Sequence, residues 1–173
     1  MSCYRTILIA YDSSADATAA LHHAASLAGD QHARLVLVTV VPHLPVHPVD
    51  AATAVAARDI ERSFAQALRD AIDALPPDVG IDSRLVHGKP ARRILDIARE
   101  HRCDLIVMGS HGHGRLHGAL IGCTSATVVR ESTVPVLLLR APRTTRDENA
   151  DISRGGASQH VRRPDREVDT KAA

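Results

Sequence analysis

Five glycines fall between residues 109 and 122: Gly109, Gly112, Gly114, Gly118 and Gly122. The run before them, Leu105 to Met108, is apolar and predicts a buried strand. Cys123, Thr124 and Ser125 follow them and predict the opening of a short helix. Strand, glycine loop and helix start together suit an anion such as phosphate. Glycine lets backbone approach a ligand closely, and a helix N-terminus points free N–H groups at it. Ser110, His111, His113 and Arg115 line the same loop, and Arg115 could pair with a phosphate. A tight turn with no ligand would use glycines in the same way.

Other phosphate loops do not fit. No glycine–four–glycine–Lys–Ser/Thr pattern is present, and the glycine after Gly114 falls one residue too late for the dinucleotide fingerprint. Asp12-Ser13-Ser14 is not the Ser-Gly-Gly turn of ATP pyrophosphatases. No nucleophile, base and orienting group stand together, which argues against a fast enzyme. The eleven histidines include adjacent His22 and His23, loop residues His43 and His47, and His111, His113 and His117. None comes with a carboxylate or thiolate set, so no metal site is expected. Lys89, Arg92 and Arg93 predict a solvated basic helix face.

The elements that position this loop alternate along the chain. Thr6 to Tyr11 predicts a buried strand, and Asp12, Ser13 and Ser14 supply capping groups for a helix. Ala17, Ala20, Leu21, Ala24, Leu27 and Ala28 form its apolar face, with Gly29 suited to its end. Leu35 to Val41 is a second strand, and the proline-rich segment 42–48 a loop. A longer helix over Asp50 to Leu75 would bury Ile60, Phe64, Leu68, Ile72 and Leu75. Ile81 to His87 alternates as a less buried strand does, and Pro90 opens a helix burying Ile94, Ile97 and Ala98. A helix over Ser125 to Ser132 leads to a last strand, Val134 to Leu139. This alternation predicts an α/β fold, an open parallel five-stranded sheet with helices on both faces, Rossmann-like.

Composition narrows the partners. The formal net charge is +1, and the aromatic residues are Tyr4, Tyr11 and Phe64 alone. Neither a basic face nor a stacking platform for nucleic acid is expected. Three cysteines, Cys3, Cys103 and Cys123, suggest no disulfide framework. No apolar stretch reaches membrane-spanning length, and a cytoplasmic protein is expected. Residues 143–173 are rich in Arg, Asp, Glu, Ser and Gly and are expected to form a disordered tail after a domain spanning 1–142.

Gly109 and Gly112 are separated by two residues and Gly112 and Gly122 by nine. This spacing resembles the nucleotide-binding signature of the universal stress protein family, with Cys123 where the family has Ser or Thr. Thr6 to Asp12, the following helix and Leu35 to Val41 resemble the family in the same order, over roughly residues 4–141. The resemblance implies strand order 3-2-1-4-5, so that Asp12 and Gly109 end neighbouring strands where the winding reverses. It implies ATP with Mg²⁺ or Mn²⁺ as ligand. Ala10, Tyr11, Asp12, Ser13 and Ser14 would contact it from strand one, and Val40 would contact adenine through its backbone. Gly109, Ser110, His111, Gly112, His113, Arg115, Gly122, Cys123, Thr124 and Ser125 would cradle the phosphates. Asp12 would also serve as a helix cap. A nucleotide-dependent regulator in stress adaptation follows, homodimeric through strand five, with regulatory protein partners not named by the sequence. Two alternatives are a member acting by protein contacts without nucleotide, which Cys123 favours, and a slow ATPase or autokinase.

Overall fold

Residues in a strand alternate between faces, and each apolar run here is long enough to serve both. In the computed structural model, which describes residues 4–42, 51–77, 79–112 and 121–142, the runs pair into one parallel sheet. The elements are β1 (Thr6–Ala10), α1 (Ala15–Gln31), β2 (Arg34–Val41), α2 (Ala51–Asp73), β3 (Ile81–His87), α3 (Pro90–Glu100), β4 (Leu105–Gly109), α4 (Cys123–Glu131) and β5 (Val136–Leu139). Their order is β3-β2-β1-β4-β5, with every pair parallel. Expectations for the loop from 43, for His113 and Arg115, and for the tail from 143 lie outside the described residues.

Two core layers sandwich the sheet. Ile7, Ile9, Leu35 and Leu37 meet α1 and α2 through Leu21, Ala24 and Leu68. Leu8, Val36 and Ile106 meet α3 and α4 through Ile94, Ile97 and Val128. Among the described residues no helix is long and apolar enough to cross a membrane.

Several local expectations shift by a few residues. Gly29 does not end α1; the helix runs on to Gln31, and His32 takes the left-handed conformation (φ 54°). His32 N–H bonds Gly29 C=O and Ala33 N–H bonds Ala28 C=O, a Schellman closure made without glycine. α4 starts at Cys123, and β5 starts at Val136 after Pro135. Arg93 is half-buried rather than solvated, its stem lying over Gly88, which adopts φ 139°. α2 ends at Asp73 rather than Leu75; Leu68 and Ala71 of the helix and Leu75 after it are buried, but Ile60 is exposed. The reason is length. A helix of 23 residues spans about 35 Å, longer than strands of 4–8 residues, so α2 extends beyond the sheet.

Gly109 is needed for packing as much as for a ligand. A Cβ there would lie 2.8 Å from Ala17 N and 2.9 Å from Asp16 C, both backbone atoms of α1. The first turn of α1 therefore sits directly on the end of β4. Gly109→Ala is expected to lower the unfolding free energy by about 1–3 kcal/mol, the usual cost of overpacking. Urea denaturation would measure it, and a loss below about 0.5 kcal/mol would show that α1 can move away freely.

Candidate functional site

β1 and β4 are neighbours, and their connections leave the sheet towards opposite faces. In open parallel sheets that arrangement leaves a crevice beyond the carboxyl ends of the strands. A cleft of about 380 Å³ lies there, floored by Ala10, Val38 and Met108. One half of its wall is apolar: Val40 and Pro42 after β2, Phe64 of α2, and Pro90 and Ile94 of α3. The other half is polar: Asp12, His111, Gly112 and the first turn of α4.

The α4 end of the cleft has the features of an anion site. Gly122 is the N-cap, and among the described residues no side chain caps the helix. The N–H groups of that first turn therefore remain for a ligand or water. Gly122 N–H itself bonds Ser110 C=O at 2.8 Å, and Ser125 Oγ donates to the same carbonyl at 2.8 Å. Ser125 thus lines the cleft with its hydroxyl committed inside the protein. Cys123 is the first residue of the helix and is exposed. Cys103 is buried elsewhere, and its burial, helped by Asp104, pushes its thiol up to about 11. It is inert as a thiolate at neutral pH.

Asp12 is fixed by its own turn. Its Oδ1 accepts from Ser14 N–H at 3.0 Å, and Ser13 between them sits at φ 63°. Ser14 caps α1, accepting from Ala17 N–H at 3.2 Å, and its hydroxyl donates to His111 C=O at 3.3 Å. A Cβ on Gly112 would strike the Asp12 carboxylate. A side chain at 112 would therefore need the Asp12 carboxylate to move aside, whether or not a ligand is bound.

Of the expected residues, Ala10, Tyr11, Asp12, Val40, Gly109, His111, Gly112, Gly122, Cys123, Thr124 and Ser125 meet at the cleft. Ser13, Ser14 and Ser110 are not among its lining residues; Ser14 and Ser110 hold its walls through their bonds to His111, Gly122 and Ser125. His113 and Arg115 lie outside the described residues. The sequence reading missed the apolar wall of Pro42, Phe64, Pro90 and Ile94. It also missed Asp16, which is 2% exposed. Asp16 Oδ2 accepts from Ser110 Oγ at 2.8 Å and from His111 N–H at 3.1 Å, and Oδ1 accepts from Ala141 N–H at 3.0 Å. His111 Nδ1 lies 3.7 Å from the same carboxylate. Its sequence signal, an acid in the first turn of a helix, is common at exposed positions too. Among the described residues no three His, Cys, Asp or Glu side chains are grouped to hold a metal ion.

Comparisons with known proteins bear on the family and the fold. A sequence profile of the universal stress protein family matches residues 3–140. A Thermus aquaticus protein, named for its place in the 3' region of a QAH/OAS sulfhydrylase, is a universal stress protein 36% identical over 138 residues, 79% of this chain and 99% of the relative. A solved Burkholderia pseudomallei protein of the family is 32% identical, covers 80% of this chain and 98% of its own, and superposes with a TM-score of 0.64. A universal stress protein solved in complex with cAMP is 25% identical, over 82% of this chain and all of its own, with a TM-score of 0.62.

The Asp16 contacts carry a stability consequence. Asp16→Asn retains the shape but replaces an acceptor oxygen with a donor, facing N–H and O–H groups. A loss of about 1–3 kcal/mol is expected from the unmatched buried groups. Chemical denaturation would measure it, and a variant as stable as wild type would show that the carboxylate does not organise this region.

Proposed function

The chain belongs to the universal stress protein family, and on that premise we propose that it binds ATP, carried with Mg²⁺ or Mn²⁺, as a nucleotide-dependent regulator of stress adaptation in the cytoplasm. One observation carries the reading: the cleft at the β1/β4 switch is divided into an apolar half and an uncapped helix N-terminus. A nucleotide has a matching division between its base and its phosphates. The apolar half suits a base, with the backbone beside Val40 within its wall. The first turn of α4 suits phosphates, since backbone N–H groups and the helix dipole favour anions whatever the side chain at Cys123. The divalent cation would come with the phosphates, as such ions keep several waters and take few protein ligands. The cAMP-bound relative supports an adenine nucleotide as the ligand class.

The calorimetric titration of ATP tests it. Gly122→Val would bring a branched side chain to the N-cap, where even a Cβ lies 3.3 Å from Ser110 O. Wild type should bind, and the variant should lose about ten-fold or more, near 1.4 kcal/mol. A folded variant with unchanged affinity would remove the α4 terminus from the site.

We further propose that the protein is a homodimer paired through β5. This strand ends the sheet order, and its residues Val136 to Leu139 are all half-exposed. Val129 on the adjoining α4 is 48% exposed. An apolar strand edge with unpaired backbone invites a second strand, and a two-fold pairing satisfies both copies. Val136→Lys should shift the protein towards monomer at micromolar concentration. Sedimentation equilibrium decides it: a lysine variant that dimerises as wild type does removes β5 from the interface.

A further inference from the structure

Phe64 is the chain's one phenylalanine. Its spacing with Leu68 and Ile72 predicts a core position, yet it is half-buried and stands outside both packed core layers. It lines the cleft instead. The cause is the overhang of α2. Leu68, one turn further along the helix, reaches the core under the sheet, whereas Phe64 emerges at the carboxyl edge of the strands. There it lines the cleft beside the aliphatic residues and prolines of the apolar wall; the other aromatic residue of the cleft, Tyr11 after β1, is packed against the core layer of α1 and α2. Pro90 and Ile94 belong to α3, on the other side of the sheet, so this half of the cleft lies between an aromatic residue from one layer and apolar residues from the other.

A half-buried aromatic side chain outside the core leaves part of its ring uncovered, and a flat group lying on that ring would cover it. A nucleobase is flat, and its faces stack on aromatic rings whatever its edge carries. We propose that Phe64 is the residue that stacks on the base of the bound nucleotide. The inference rests on the nucleotide reading above and names the side chain that recognises the base.

The chain contains no tryptophan, so Phe64→Trp would introduce a single tryptophan, whose emission is excited selectively over that of Tyr4 and Tyr11 at long wavelength. Its emission should be quenched saturably by ATP and by AMP and left unchanged by inorganic tripolyphosphate, which has no base. Phe64→Leu keeps an apolar side chain and removes the ring; with an unchanged melting temperature it should bind ATP about ten-fold more weakly by calorimetry. If the tryptophan variant does not fold, the leucine variant carries the test. Wild-type protein that binds neither ATP nor AMP overturns the nucleotide reading and this inference with it. Wild-type protein that binds ATP, beside a leucine variant of equal affinity or tryptophan quenching that tripolyphosphate reproduces, overturns the role of Phe64 alone.

Discussion

The carboxylate of Asp16 lies in the first turn of α1 and joins parts of the chain that are far apart in sequence. It receives Ser110 and His111 after β4 and Ala141 after β5. Such a group is costly to bury unless its lone pairs are satisfied, so once it is buried the loops that satisfy it have little freedom. The absence of a side chain at Gly109 makes this possible, because it lets α1 approach the end of β4. The close approach and the buried acid depend on each other. A Cβ at 109 would push α1 away, and a retreating α1 would take Asp16 out of reach of its donors.

Ser110 passes this constraint on to the cleft. Its N–H bonds Leu139 C=O at 2.7 Å, its hydroxyl bonds Asp16, and its carbonyl receives Gly122 N–H and the Ser125 hydroxyl. One residue thus connects the end of β5, the start of α1 and the start of α4. Ser110 is buried, so each of these bonds is expensive to leave unmade. The start of α4 is held in place from behind, by its own N-cap amide and its third residue. The face turned to the cleft keeps its N–H groups, and an anion arriving there meets donors already oriented.

The sheet was legible in the sequence because four of its strands are apolar runs and the connections between them are helical in period. The place of the cleft was legible through the family resemblance, which implies the strand order that makes Asp12 and Gly109 end neighbouring strands where the winding reverses. What escaped the reading depends on contacts distant in sequence. Asp16 reads as a surface acid of a first turn, and its burial depends on Gly109 and Ser110, more than ninety residues away. Phe64 and Ile60 share the spacing of Leu68, and only the length of α2 against that of the strands separates cleft and solvent positions from core positions. His32 closes α1 in a conformation for which Gly29 was the better local candidate. The Ser125 hydroxyl has a donor's chemistry for phosphate, but the nearby Ser110 carbonyl takes it.

Asp12 adds a selection that the helix terminus lacks. The start of α4 attracts any anion, whereas a carboxylate in the same cleft repels one. Its position is set by the turn that gives it Ser14 N–H, and Gly112 leaves the space it occupies. A bare phosphate ion entering this cleft gains the N–H groups and meets the charge of Asp12. A ligand that places a hydroxyl beside Asp12 and keeps its anionic end at α4 gains a hydrogen bond where the bare ion meets repulsion. The sugar of a nucleotide carries such hydroxyls between an apolar base and an anionic tail. On the nucleotide reading proposed above, the apolar wall, the acid and the helix terminus would take the base, the sugar and the phosphates, and a free phosphate or a purely apolar ligand would use only part of the cleft.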